Sequence, residues 1–101
     1  MTISWKYLAG LVDGEGNIGR YSASMNTTHR RLHLEVGMTC YRTIKALHDQ
    51  FGGQFREVKT PDGRKAQWRW RVVSKKAVII LKEIQPHMIT KAELVSSLLD
   101  E

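Results

Sequence analysis

The stretch that decides the fold is LAGLVDGEG, from Leu8 to Gly16. It overlaps a predicted helix over residues 5–13, which the glycines that follow are expected to stop. Asp13 and Glu15 stand at the C-terminal end of this helix, where the helix dipole disfavours carboxylates. Glycines on both sides of Glu15 leave its carboxylate uncrowded. These residues alone leave open whether the segment is a plain helix end or a cation site.

Beyond this stretch, alternating apolar residues predict two antiparallel hairpins. The first has strands over residues 17–25 and 31–39, joined by a polar turn at residues 26–30. The second surrounds the turn at residues 60–63 and ends on the strand around Trp70. Each hairpin follows a predicted helix, so a helix-hairpin unit is used twice.

The remaining helices are predicted from apolar residues at helical spacing. One covers residues 41–51 and stops at Gly52-Gly53, and the next covers residues 75–84, before Pro86. A last helix is expected to begin at Thr90, with Glu93 completing a capping box. The fold class is therefore α+β: one domain over residues 1–101, helix-hairpin-helix-hairpin-helix, whose antiparallel four-stranded sheet is covered on one face by helices.

Composition restricts the classes of function. The formal net charge of +6 favours a polyanionic partner, nucleic acid first, with a scattered surface charge as the alternative. The single cysteine, Cys40, excludes an internal disulfide and predicts an intracellular, reducing location such as a bacterial or phage cytoplasm or an organelle. No apolar run is long enough for a membrane span, and His and Cys show no zinc-ligand spacing.

The strands predict a sheet with one apolar and one basic face. In the second strand Leu32, Leu34, Val36 and Met38 alternate with polar residues, and in the last strand Trp68, Trp70 and Val72 do the same. The intervening positions carry arginine, histidine and glutamine. Like charges side by side on a sheet repel, and a phosphate backbone would relieve that repulsion. A solvated basic face is the alternative.

The segment Leu8–Gly16 closely resembles the LAGLIDADG motif of homing endonucleases: six of nine positions are identical, and Val12, Gly14 and Glu15 are mild changes. The strand Trp68–Val72 with Ser74-Lys75-Lys76 looks like the second hairpin of that family. Gln85-Pro86, with Lys91 and Glu93, looks like its C-terminal segment. The resemblance covers essentially the whole chain.

The resemblance implies a homodimeric endonuclease that hydrolyses phosphodiesters of a near-palindromic double-stranded DNA site, without a small-molecule substrate or a membrane. It also implies a role in intron or intein mobility. Glu15 would be the catalytic metal ligand, aided by the Gly14 carbonyl, for Mg²⁺ or Mn²⁺. Lys91 would be the active-site lysine. The motif helices would meet at a dimer interface formed by Leu8, Ala9, Gly10, Val12 and Asp13, although Asp13 is favoured as a helix-end cap or hydrogen-bond acceptor over a metal ligand.

DNA contact is expected from outward positions of the strands and from the second turn, where Lys59, Arg64 and Lys65 would bind phosphates. Trp68 and Trp70 are expected in the core rather than stacked on bases. Arg20 shares the side of Ile18, so a bulge would be needed to turn it outwards. The predicted contacts are Asn17, Tyr21, Arg31, His33, Glu35, Gln54, Arg56, Lys59, Gln67, Arg69 and Arg71.

One position departs from the family pattern. Met38 stands where the family often has a glutamine near the nucleophilic water, and a thioether is a poor hydrogen-bonding group. Arg42 is a candidate second basic group. Two alternatives follow on the same fold: a catalytically inactive DNA-binding regulator, which Met38 favours and Glu15 opposes, and an RNA-splicing maturase.

Overall fold

The computed structural model describes residues 2–22, 30–60 and 65–100. Its helices are α1 (Trp5–Glu15), α2 (Tyr41–Phe51), α3 (Ser74–Ile84) and α4 (Ala92–Leu99), with a 3₁₀ turn over Gln85–His87. Its strands are β1 (Gly16–Ser22), β2 (Arg30–Met38), β3 (Gln54–Val58) and β4 (Gln67–Val73). They form an antiparallel sheet of order β1-β2-β4-β3. The predicted fold class and element order are confirmed.

The core lies between the helices and one face of this sheet. Leu34, Val36 and Trp70 of the central strands are fully buried against helix residues such as Ile44 and Leu81. Trp70 also donates from Nε1 to the Gly52 carbonyl at 2.7 Å, so its one polar group is satisfied in the core. The prediction that the strand tryptophans pack in the core is confirmed, since Trp68 packs against the same cluster.

The first helix is longer than predicted. It includes Gly14 and Glu15 and ends where Gly16 turns to an extended conformation (φ −81°, ψ 153°) and begins β1 directly. A β-carbon at Gly16 would lie 2.6 Å from the Val12 carbonyl oxygen, so the junction needs a glycine. The prediction that the helix stops at Asp13 is wrong because Gly14 keeps helical geometry. The second helix ends as predicted, at Gly52 (φ 74°) and Gly53 (φ 89°).

The register of the first hairpin defines the side of Arg20, and one further expectation, the start of the last helix, is corrected. Strands β1 and β2 pair without a break from Gly16↔Val36 to Ser22↔Arg30, so no bulge turns Arg20 outwards. Arg20 stays on the helix side of the sheet and donates from Nη2 to the Leu98 carbonyl of α4 at 2.8 Å. The last helix begins at Ala92 rather than Thr90, and no side chain of its own caps it.

Some predictions fall on residues outside those described. The turn at residues 26–30 is described only at Arg30, and the turn at residues 60–63 only at Thr60. The end of the first predicted strand, residues 23–25, and Arg64 are likewise outside. Within the described ranges, no helix has the length and apolar character that crossing a membrane requires.

Candidate functional site

The face of the sheet away from the helices carries the polar strand residues. Directly paired residues of antiparallel strands share a face. The pairs Asn17↔Glu35, Glu35↔Arg71 and Gln54↔Arg71 therefore form one row across all four strands. We call this side of the sheet the open face. The strand positions predicted to contact DNA all lie on it: Asn17, Tyr21, Arg31, His33, Glu35, Gln54, Arg56, Gln67, Arg69 and Arg71.

Lys59, which is predicted to contact phosphate, lies outside the strands. It lies just beyond the end of β3 and is exposed, so it borders the open face rather than belonging to a strand. Lys65 is exposed ahead of β4. Both positions suit contact with a polymer that extends past the sheet.

The open face is organised by contacts among its own side chains. Arg69 donates from Nη1 to Glu35 Oε1 at 3.1 Å, which neutralises the one acid on the described part of this face. The Arg71 guanidinium lies 4.5 Å from the centroid of the Tyr21 ring, a cation–π contact. The Tyr21 ring in turn meets the His33 ring edge-on, at 5.6 Å between centroids. These contacts hold the long side chains in place before any ligand arrives.

Glycines give two of these side chains the room to lie flat. A β-carbon at Gly19 would lie 3.3 Å from His33 Cε1, and one at Gly37 would lie 3.5 Å from Arg69 Cγ. Gly19 is paired with His33, and Gly37 with Arg69. The glycines therefore allow His33 and Arg69 to lie across the neighbouring strand, where they cover the backbone.

Two nitrogen atoms of this face are unsatisfied. Among the residues that the structure describes, His33 Nδ1 and Arg71 Nε are shielded from solvent and have no hydrogen-bond partner. Burial lowers the pKa of His33 from 6.5, and the charge of Arg71 lowers it further, against the opposing charge of Glu35. His33 is thus neutral at pH 7 and offers one donor and one acceptor.

The C-terminal end of α1 brings together the predicted active-site residues. Glu15 and Gly14 are exposed there, and a β-carbon at Gly14 would meet nothing within 4 Å. Lys91, from the other end of the chain, donates from Nζ to the Asp13 carbonyl oxygen at 2.6 Å. The fold therefore places the ammonium of Lys91 at the helix end that carries Glu15. In the described part of the chain, no group of three His, Cys, Asp or Glu side chains lies together as a metal site.

Asp13 has a role that its position in the sequence does not reveal. Its Oδ2 accepts from the backbone N–H groups of Ile89 and Thr90, both at 2.9 Å, and its Oδ1 accepts from that of Lys91 at 2.7 Å. These bonds hold the pKa of Asp13 below its usual range, the bond from Ile89 most of all. Asp13 is the predicted hydrogen-bond acceptor, but it caps the start of a distant segment rather than its own helix.

Three of the predicted dimer contacts require correction. Leu8, Ala9 and Val12 are fully buried in the core of their own protomer, because they form the face of α1 that packs on the sheet and α3. Gly10 is exposed, and an added β-carbon there would meet nothing within 4 Å. Tyr7 is 56% exposed on the same side of the helix. The exposed face of α1 is therefore formed by Tyr7, Gly10 and Gly14, at helical spacing.

Met38 and its neighbours lie apart from the open face. Met38 is paired with Trp68 and packs against the core on the helix side of the sheet. Cys40 and Arg42 line a pocket of about 430 Å³ between the starts of α1 and α2. Hydrogen bonding from Thr43 Oγ1, at 3.2 Å, lowers the pKa of the Cys40 thiol. In the described part of the chain, no hydrogen bond or ion pair joins Met38, Cys40 or Arg42 to Glu15 or Lys91.

Solved structures share this architecture. The homing endonuclease I-CvuI, crystallised with its target in the presence of 2 mM Ca, superimposes with a TM-score of 0.73 at 21% identity over 95% of this chain. The LAGLIDADG homing endonuclease I-GzeII, in complex with a DNA target, gives 0.69 at 15% identity over 98%. The homing endonuclease I-TnaI gives 0.69 at 16% identity over 99%. No protein-family model matches the sequence, and neither does any curated protein.

These likenesses define the class of fold. The chain has the α+β fold of the homing endonucleases, and in particular that of the LAGLIDADG type, as the motif at Leu8–Gly16 predicted. It spans 63% of the I-CvuI chain, 36% of the I-GzeII chain and 74% of the I-TnaI chain.

Proposed function

We propose that the chain is a site-specific endonuclease that cuts double-stranded DNA with a divalent metal. The observation that carries this proposal is the meeting of Lys91 with the helix end that bears Glu15, in a molecule whose sheet presents arginines on an unpartnered face. A carboxylate that can bind a metal and an ammonium, both at one helix end, suit the hydrolysis of a phosphodiester. The solved structures of similar fold include complexes of homing endonucleases with DNA, which supports the same partner.

The residues at the end of α1 suit a hard divalent ion. The Glu15 carboxylate and the Gly14 carbonyl are oxygen donors, the type that Mg²⁺ and Mn²⁺ prefer. The last carbonyls of a helix have no partner within it, and a β-carbon at Gly14 would meet nothing within 4 Å, so this helix end is open to a ligand. A cation bound there would supply Lewis acidity and neutralise phosphate charge. Lys91 would hold its ammonium against the charge that develops on the phosphate oxygens.

We further propose that two copies associate through the exposed face of α1. Tyr7, Gly10 and Gly14 form this face, and the two glycines, four residues apart, let helix backbones approach closely. A two-fold dimer would bring two Glu15 carboxylates near one axis and would present two open faces to successive half-sites. The target would then be near-palindromic. Mobility of an intron or intein, inside a reducing compartment, would follow from cutting such a site.

The proposal is tested by incubating the purified chain with a library of near-palindromic DNA duplexes in Mg²⁺, in Mn²⁺ and in EDTA. We expect double-strand cuts that require the metal. Glu15→Gln should bind DNA as the wild type does and abolish cutting, whereas the control Glu83→Gln, an exposed acid of α3, should cut normally. Binding without cutting in either metal would point to an inactive regulator, and a preference for structured RNA to a maturase.

A further inference from the structure

Asp13 links the two ends of the chain through four hydrogen bonds. Its carboxylate accepts from three consecutive backbone N–H groups, Ile89 and Thr90 at 2.9 Å and Lys91 at 2.7 Å. Its own carbonyl oxygen accepts from Lys91 Nζ at 2.6 Å. Asp13 therefore bonds both the backbone N–H and the side-chain ammonium of Lys91.

The segment held by Asp13 leads directly into α4. The N–H groups of Ile89, Thr90 and Lys91 lie ahead of α4, which begins at Ala92, and the side chain of its N-cap residue, Lys91, makes no capping hydrogen bond. A carboxylate is a strong acceptor for such groups, because a hydrogen bond to a charged oxygen is stronger than one to a neutral oxygen. Asp13 reaches these groups from α1, so α1 determines where the residues that lead into α4 lie.

The same contacts determine where the Lys91 ammonium lies. The Asp13 carbonyl is in the last turn of α1, and Gly14 and Glu15 follow it. In the described part of the chain this carbonyl is the one acceptor of the ammonium, so two of its three donors remain for a phosphate or water. Both carboxylate oxygens of Asp13 are engaged, which favours Glu15 as the acid that binds the metal.

We propose that Asp13 is a positioning residue: its carboxylate fixes the backbone of residues 89–91, so that the ammonium of Lys91 is held at the end of α1, the helix end that carries Glu15. This inference rests on the proposed function, in which Lys91 and Glu15 act on the scissile phosphate. Asp13 would not touch the substrate. It would act through Lys91.

The test is a double-mutant cycle on single-turnover cleavage of a DNA site that the wild type cuts. Asp13→Asn should lower the cleavage rate by roughly 10- to 100-fold, as loss of a group that orients an active residue usually does, with little change in DNA affinity. In a Lys91→Met background Asp13→Asn should cause almost no further loss, because the group it positions is gone. A purely structural role would lower the rate by the same factor in both backgrounds. Asp100→Asn, an exposed acid at the end of α4, is the matched control.

A second measurement keeps the inference testable if Asp13→Asn does not fold. In the wild-type protein the amide protons of Ile89, Thr90 and Lys91 should be protected from exchange with solvent. Rapid exchange of all three would overturn the inference, as would wild-type cleavage by a folded Asp13→Asn variant. If the wild type itself cuts no DNA in any metal, it is the proposed function that fails, and the exchange measurement still reports on Asp13.

Discussion

His33 illustrates how a single residue on the open face is prepared for a ligand. Its ring lies against Tyr21 and over Gly19, and its Nδ1 is shielded without a partner among the described residues. Arg71, which also contacts Tyr21, adds a positive charge nearby. Burial and this charge both disfavour the imidazolium, and they lower the pKa of His33.

This environment predicts a pH dependence. The pKa of His33 should lie below 6.5 in the folded protein, as measured by NMR titration of its ring. Since the unfolded chain then binds more protons than the folded one, the stability contributed by a neutral His33 is complete above pH 6.5 and is lost as the pH falls through the folded pKa.

Two variants test whether the charge of Arg71 contributes to the lowered pKa of His33. Arg71→Gln should raise the pKa of His33 towards 6.5, whereas Arg56→Gln, the same change farther along the face, should leave it unaltered. A pKa above 6.5, or one that does not respond to Arg71→Gln, would contradict this account.

At the scale of elements, the junction between α1 and β1 decides where the Glu15 carboxylate lies. The helix passes into the strand at Gly16 with no intervening loop. The close approach of Gly16 to the Val12 carbonyl makes this turn possible only without a β-carbon. The same junction starts the register of the sheet, because Gly16 pairs with Val36. The position of the C-terminal end of α1 relative to the open face is thereby fixed.

Gly16→Ala should therefore destabilise the fold by about 1–3 kcal/mol, as overpacking at a rigid contact does. The free energy of unfolding, measured in denaturant at protein concentrations at which the protomer is monomeric and with Gly10→Ala as the control, checks this. Alanine fits at Gly10 without any contact in the protomer, so the control should not be destabilised. A Gly16→Ala protein as stable as the wild type would show that the junction can relax.

At the scale of the whole molecule, α1 has two unlike faces. Leu8, Ala9 and Val12 form the core of one protomer, and Tyr7, Gly10 and Gly14 remain exposed. If the exposed face joins two copies, a methyl group there should have opposite effects on folding and on association.

Gly10→Ala is the variant that separates these effects. It should stabilise the isolated protomer by up to about 1 kcal/mol through helix propensity. It should also raise the dimer dissociation constant about tenfold or more, because the helices can no longer approach as closely. Sedimentation equilibrium and unfolding at low concentration measure the two effects. Ser97→Ala, at an exposed position of α4, should leave association unchanged. An unaltered dissociation constant for Gly10→Ala would exclude this face as the interface.

The sequence by itself determined the order of elements and the two faces of the sheet. Alternation in β2 and β4 has a period that only a strand can satisfy, so Leu34, Trp70 and Arg71 were assigned to their faces correctly. The motif at Leu8–Gly16 likewise predicted the fold that the solved structures share. These patterns are local, so residues that are neighbours in the sequence are enough to define them.

Only the tertiary structure decided which groups meet across long distances. The capping box expected at Thr90 gave way to Asp13, which is 77 residues away and offers a charged acceptor to three N–H groups at once. Arg20 donates a hydrogen bond to a carbonyl at the end of α4. The small residues of α1 lie either in the core or on the surface, depending on which elements pack on each side of the helix. Such partners depend on the packing of elements remote in the chain, and no spacing along the sequence records that packing.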